Sequence, residues 1–247
     1  MTRTVLITGA TSGIGRAAAV KFANAGWRVV GTGRRGDRLR ALADELGEQF
    51  LPLEIDMRDL EAVESLAGLD SPWGDIDLLL NNAGFAPPQQ SPHEADWNVL
   101  EGVIATNITA LVALTRALLP KLIERRGGIL NLSSVAASYP YKGGSVYGGS
   151  KAFVRQFSLD LRCDLEGTGV RVTSIDPGMV ETEFTLVRTG SQEASDKLYG
   201  DMDPLTAEDM AEQIFWVATL PRHININTLE IMPVNQSWAG FAVHRKG

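Results

Sequence analysis

The 247-residue chain predicts a single α/β domain, spanning 1–247, built on a doubly wound parallel sheet with helices on both faces. Three observations carry this: strand-like β-branched runs alternate with helix-period segments throughout, glycines punctuate the first strand-to-helix junction, and no composition shift marks a boundary. The strands are read at Val5–Thr8, Trp27–Thr32, Phe50–Ile55, Asp77–Leu80, Gly128–Ser133, Val170–Ile175 and Thr228–Met232, giving a seven-stranded sheet. Between them fall helices at Ile14–Ala25, stopped by Gly26, at Arg38–Leu46 and at Leu60–Ala67. A long helix follows the Pro87-Pro88 loop and ends near Pro120, another covers Val146–Leu165, and Thr206 caps one running to Thr219. The segment from Thr182 to Gly200 reads as a loop.

Composition excludes several classes of function. With 44% hydrophobic and 21% charged residues the chain is an ordinary globular one, and a net charge of −7 argues against nucleic acid as a partner. No apolar run is read as approaching the roughly 20 residues that span a bilayer, and no signal-peptide pattern precedes Val5, so no membrane partner and a cytoplasmic location are expected. The single cysteine, Cys163, reads as a small core residue. His93, His223 and His244 lack metal-ligand spacing and read as surface residues, so no metal site is expected.

The run Thr8-Gly9-Ala10-Thr11-Ser12-Gly13-Ile14-Gly15 lies where the first strand meets the first helix, where backbone amides and the helix dipole attract a pyrophosphate. A site that prefers NAD places an acid at the end of the second strand, to bind both ribose hydroxyls. Here that end is Thr32-Gly33-Arg34-Arg35, and two guanidiniums suit a 2′-phosphate, so NADP is the expected cofactor. Asp56, closing the third strand, is a candidate for adenine recognition or a cap for the next helix.

Tyr147 and Lys151 are four residues apart and share a helix face. An ordinary tyrosine has a pKa near 10, and lowering it by about three units takes about 4 kcal/mol, in the direction that a neighbouring ammonium acts. Ser134, at the end of the preceding strand, can hydrogen-bond a substrate oxygen and hold it against Tyr147.

These motifs together resemble the short-chain dehydrogenase/reductase family over the whole chain, which implies a Rossmann fold. Thr8 to Gly15 is similar to its TGxxxGxG motif, Asn81-Asn82-Ala83-Gly84 to its NNAG motif, and Pro177-Gly178 to the turn under the nicotinamide. Asn107 lies 27 residues before Ser134, which lies 13 before Tyr147, as in the family's Asn-Ser-Tyr-Lys tetrad. The resemblance implies an alcohol–carbonyl oxidoreductase in which Tyr147 is the acid or base and Lys151 holds the nicotinamide ribose and lowers the Tyr147 pKa. Ser134 would orient the substrate, and Asn107 would bend its helix and hold a relay water. Gly9, Thr11, Ser12, Gly13, Ile14 and Gly15 would contact the cofactor at one end. Arg34, Arg35, Asp56 and Met57 would do so at the adenosine, and Asn82, Ala83, Gly84, Pro177, Gly178, Val180 and Thr182 along the nicotinamide half. Some NADP-using members carry a basic residue inside the glycine motif, where this chain has Ser12, so the cofactor reading rests on Arg34 and Arg35.

A narrower resemblance, in Gly33-Arg34-Arg35, Ala152 to Ser158 and Thr228 to Gln236, is to NADP-dependent 3-hydroxy acid dehydrogenases. It implies a small 3-hydroxy acid as substrate. Among Thr182 to Gly200, Arg188 and Lys197 are the cations on offer, and Arg188 is the expected carboxylate clamp, with Lys142 the alternative. The rival readings are a reductase of 3-oxoacyl thioesters, sugars or steroids, and a non-catalytic NADP-binding regulator. The apolar tail from Pro233 to Gly247, with Trp238, Phe241 and Val243, is expected to be buried between subunits, and the family resemblance implies a homotetramer.

Overall fold

The structure is a computed structural model that describes residues 2–238 and Val243; Phe241 and His244 lie outside the described residues. Its strands are β1 (Thr4–Thr8), β2 (Arg28–Gly33), β3 (Phe50–Glu54), β4 (Ile76–Asn81), β5 (Gly128–Leu132), β6 (Arg171–Pro177) and β7 (Thr228–Ile231). All pair in parallel in the order β3-β2-β1-β4-β5-β6-β7, which is the expected sheet. The order reverses between β1 and β4, so the connections leaving these strands part and open a crevice at their carboxyl ends.

Alternation along the strands supplies two cores. Val5 and Ile7 of β1 face α1 (Gly13–Asn24), α2 (Gly36–Leu46) and α9 (Ala207–Thr219), whereas Leu6 faces the opposite layer. That layer holds α3 (Leu60–Ser65), α5 (Leu111–Arg125) and α6 (Ser145–Asp164), and α4 (Trp97–Ile104) leads into α5. Both faces of the sheet are therefore covered, the condition under which parallel strands are stable. The Thr206 cap of α9 is reciprocal: its hydroxyl accepts from Asp209 N at 3.0 Å, and the Asp209 carboxylate accepts from Thr206 N at 2.8 Å.

Several sequence expectations need correction. The long helix continues past Pro120 to Arg125, with a π-helical turn at Ala105–Ala110. The run Trp97–Arg125 is thus long and apolar enough to cross a membrane by length and composition, contrary to the sequence reading. In the fold it is a sheet-covering helix, with Leu114, Leu118 and Leu122 fully buried in the core. Thr182 to Gly200 is not a loop but two short helices, α7 (Glu183–Thr189) and α8 (Gln192–Tyr199), capped by Thr182 and Ser191 and separated by Gly190 in the left-handed region. Cys163 is exposed, because α6 turns Leu161 and Leu165 inward and leaves the position between them outside. His93 and His223 are exposed as expected.

Candidate active site

A cleft of about 970 Å³ lies over the crevice at the strand ends. Its wall includes Gly9, Thr11, Ser12, Gly13 and Ile14 from the first turn, Arg34 and Arg35 after β2, and Asp56 and Met57 after β3. Farther along come Asn82, Ala83 and Gly84, then Ser134, Tyr147 and Lys151, and finally Pro177, Gly178, Val180, Thr182 and Arg188. Two expected site residues stand behind the wall. Gly15 is buried, and a side chain there would meet Gly9 O at 2.3 Å and Asn82 Nδ2 at 2.4 Å, so its part is to let helix, turn and β4 end pack closely. Asn107 is also buried and acts through its neighbours.

At the phosphate end, Ser12 is the N-cap of α1 but makes no side-chain cap, which leaves the first-turn amides available to an anion. Arg35 crosses this turn, donating from Nη2 to Thr11 Oγ1 at 2.9 Å and to Ser12 Oγ at 2.6 Å. Sequence reasoning missed Glu183: it pairs with Arg35 at 3.1 Å and with Arg38 at 2.7 Å, tying α7 to the guanidiniums. These contacts hold the Glu183 carboxyl below its usual range, the Arg38 hydrogen bond most of all. The only sequence signal for Arg38 was its place in the Arg34 to Arg40 run, and nothing local marked its acidic partner 145 residues away. Asp56 accepts from Arg58 at 2.6 Å, which lowers its pKa, and is not the cap of α3; Asp59 takes that role, accepting from Ala62 N.

The NNAG segment is a structural joint. Asn82 Nδ2 donates to Thr8 O at 2.8 Å, the Thr8 hydroxyl accepts from Asn82 N and Ala83 N, and Asn81 Nδ2 donates to Asn131 Oδ1. Asn107, within the π-helical turn, donates to Phe85 O and Ser150 Oγ, each at 3.0 Å, and accepts from Phe85 N at 3.1 Å. It therefore fastens the end of the NNAG segment to α6. A side chain at Gly84 would meet both Asn107 Oδ1, at 3.1 Å, and Lys151 Nζ, at 3.4 Å, which shows how closely the three converge.

Ser134 leaves β5 in an extended conformation and caps the short turn at Val135–Ala137, its hydroxyl accepting from Ala136 N at 3.1 Å. The hydroxyl also lies 3.5 Å from Pro177 O, and its pull on the nearby Tyr147 phenol favours the phenolate. Burial outweighs it and pushes the Tyr147 pKa well above its ordinary value. Lys151 is not among the groups that act most strongly on the Tyr147 phenol in this structure. The Lys151 ammonium donates to Leu132 O at 2.7 Å and lies 5.8 Å from the Tyr147 ring centroid, so its charge is directed to the strand end. Burial lowers the Lys151 pKa to about 8, against the opposing pull of Asp176.

The α7–α8 lid closes the substrate end. Phe184 packs on Tyr147 with ring centroids 5.8 Å apart, and the Tyr199 hydroxyl donates to Val180 O at 2.8 Å. Arg188 donates from Nε to Pro87 O at 3.0 Å and from Nη2 to the Tyr141 hydroxyl at 3.2 Å, with its guanidinium over the Tyr141 ring. Its charge acts on Tyr147 in the direction that lowers the phenol pKa. Lys197 and Lys142 are exposed and stand outside the cleft wall.

Comparison with known proteins agrees with this geometry. A serine 3-dehydrogenase of Rhizobium radiobacter is 60% identical over 252 residues, covering 100% of both chains. A sulfoacetaldehyde reductase of Chromohalobacter salexigens is 55% identical, covering 99% of this chain and 100% of the other. A serine dehydrogenase solved in a closed form with NADP+ superposes with a TM-score of 0.93 at 50% identity, covering 98% of this chain and 100% of that one. The short chain dehydrogenase family pattern matches residues 3–192. With the tetrad spacing, the glycine turn and the doubly wound sheet in place, the chain belongs to the short-chain dehydrogenase family.

Proposed function

We propose that this protein is an NADP-dependent oxidoreductase that interconverts a small 3-hydroxy acid and its semialdehyde or 3-oxo acid. The observation that carries the proposal is the placement, in one cleft, of Arg34 and Arg35 at one end and of Ser134, Tyr147, Lys151 and Arg188 at the other. The uncapped α1 amides fit a pyrophosphate, and the guanidiniums fit a 2′-phosphate. The likeness to NADP-bound serine dehydrogenase and to serine 3-dehydrogenase supports the same cofactor and substrate class.

In this reading NADP, when bound, accepts or supplies the hydride. Ser134 donates to the substrate oxygen and holds it against Tyr147. Tyr147 gives that oxygen a proton in reduction and removes it in oxidation. Lys151 holds the ribose and, once drawn toward it, offsets the desolvation of the Tyr147 phenolate. Asn107 fixes the helix turn beside Lys151 and holds the relay water. Arg188 turns from Pro87 O to clamp the substrate carboxylate in two parallel hydrogen bonds.

A second reading keeps the chemistry and exchanges carboxylate for sulfonate, and it is favoured by the relative that is a sulfoacetaldehyde reductase. NADP reduction at 340 nm against L-serine, 3-hydroxyisobutyrate, isethionate and neutral secondary alcohols separates the two. Preference for the carboxylates supports the first reading, preference for isethionate the second, and activity on neutral alcohols alone defeats both.

The homotetramer and the cytoplasmic location belong to the same reading. Trp97, Ile104 and Phe153 expose apolar surface on the α4–α6 side, where Phe153 stacks on Phe157, and Trp238 is 68% exposed at the tail. Light scattering at micromolar concentration tests the assembly; a monomer contradicts it.

A further inference from the structure

Tyr147, Lys151 and Arg155 recur at every fourth position of α6, so one face of the helix carries three polar groups in succession. The first two border the cleft. The third points along the sheet, where Arg155 Nε lies 3.3 Å from Oδ2 of Asp176 and Nη1 donates to Ser138 Oγ, in the turn that follows Ser134. Asp176 immediately precedes Pro177-Gly178 and is completely buried; its other oxygen accepts from Ser174 Oγ at 2.6 Å. Neither Arg155 Nε nor Asp176 Oδ2 completes a hydrogen bond, so the pair is held by charge.

A carboxylate stripped of water is costly unless its charge is matched, and the proposed Ser-Tyr-Lys chemistry makes no use of this one. The cation of the cleft whose charge acts on it is Lys151, on the helix packed against β6. The ammonium of Lys151 is anchored to Leu132 O, and Leu132 pairs with Ile175, the residue before Asp176. The groups that act on Asp176 are Arg155 and Lys151 from α6, Ser174 from its own strand and Glu230 from β7. Glu230 is engaged by the Tyr139 hydroxyl and the Trp238 indole. The Arg155 side chain is 37% exposed, so water screens part of its charge although its Nε is buried, whereas that of Asp176 is 1% exposed.

We infer that Asp176, held in place by Arg155, is a positioning residue that serves as the counter-charge of the Lys151 ammonium. It keeps Lys151 protonated in a buried site while Tyr147 exchanges its proton with substrate. The inference rests on the proposed roles of Tyr147 and Lys151.

The sign of the effect follows from the charges. Burial pulls the Lys151 pKa down to about 8 and the Asp176 charge opposes it, so removing that charge lets Lys151 lose its proton at lower pH. The experiment is the pH profile of kcat for NADPH-dependent reduction of malonic semialdehyde. Asp176→Asn, which keeps the shape, is expected to move the alkaline limb to lower pH by about half a unit or more. Asp176→Glu and Arg155→Lys, which keep both charges, are expected to retain the parent limb. Arg155→Met removes a cation and leaves the Asp176 charge, so it is expected to leave the limb in place or move it to higher pH; Asp176→Ser, which also removes the carboxylate, carries the test if Asp176→Asn fails to fold. Folding is read by circular dichroism and NADPH binding by fluorescence. A limb unmoved in folded Asp176→Asn or Asp176→Ser, a limb moved to lower pH in Arg155→Met, or a uniform loss of rate at all pH values overturns the inference. A parent protein with no NADPH-dependent reduction defeats instead the reading on which it rests.

Discussion

In the floor of the cleft, Asn82, Asn107 and Lys151 are tied by buried or half-buried hydrogen bonds to backbone carbonyls and hydroxyls of distant elements, at 2.7 to 3.2 Å. The lid is held differently. Glu183 reaches Arg35 and Arg38 through half-exposed ion pairs, and Arg188 rests on one carbonyl and one phenol. Exposed ion pairs contribute about 0–1 kcal/mol each, whereas a buried polar group left without its partner costs about 1–3 kcal/mol. The floor is therefore preorganised and the lid can exchange its partners for a ligand at small cost. This difference assigns kcat to the floor and KM to the lid and phosphate end.

The sharpest way to break that division is Tyr147→Phe, which removes the proposed acid–base group of the floor. The expected loss in kcat is about 10²–10⁴-fold, with NADPH binding retained by fluorescence titration. Lost cofactor binding would mean that Tyr147 serves the structure instead. At the phosphate end, Arg35→Ala removes bonds to Thr11 and Ser12 as well as the proposed phosphate contact. Its KM for NADP should rise by about ten- to a hundredfold with that for NAD nearly unchanged, and equal effects on both would undo the 2′-phosphate assignment. At the substrate end, Arg188→Ala should raise KM for a 3-hydroxy acid by about tenfold or more while leaving kcat for a neutral alcohol nearly intact. An unchanged KM returns Arg188 to the role of a lid support.

Two smaller effects sharpen the picture. The parent kcat for carbonyl reduction should fall as pH rises through about 8, as Lys151 loses its proton. Tyr147, whose pKa is raised by burial, stays protonated over the same range, so a rate that keeps climbing above that pH would contradict the assignment. Far from both regions, Thr206→Ala should cost about 1 kcal/mol of stability, read as a lower Tm, with kinetics unchanged.

The floor was legible in the sequence chiefly through the family resemblance, which supplied Asn82, Asn107 and the roles of the tetrad, while spacing alone placed Tyr147 and Lys151 on one helix face and Ser134 at a strand end. Tyr147 and Lys151 follow from helix periodicity, and Ser134 from the end of β5. The lid was not legible, since α7 and α8 are 7 and 8 residues long, too short for a hydrophobic period to emerge from polar sequence. Their caps, Thr182 and Ser191, and the stop at Gly190 were the available signals. Arg155 and Asp176 escaped for another reason: a half-buried ion pair between a helix and a strand 21 residues apart leaves no local pattern. Pro120 misled because the helix tolerates it and continues to Arg125.

The most direct test of the central claim compares initial rates of the intact protein with NADP and with NAD at saturating 3-hydroxyisobutyrate or L-serine. The account predicts a kcat/KM at least about tenfold higher with NADP, from the guanidiniums at the end of β2. Equal or better use of NAD, or no turnover of either acid with NADP, would contradict it.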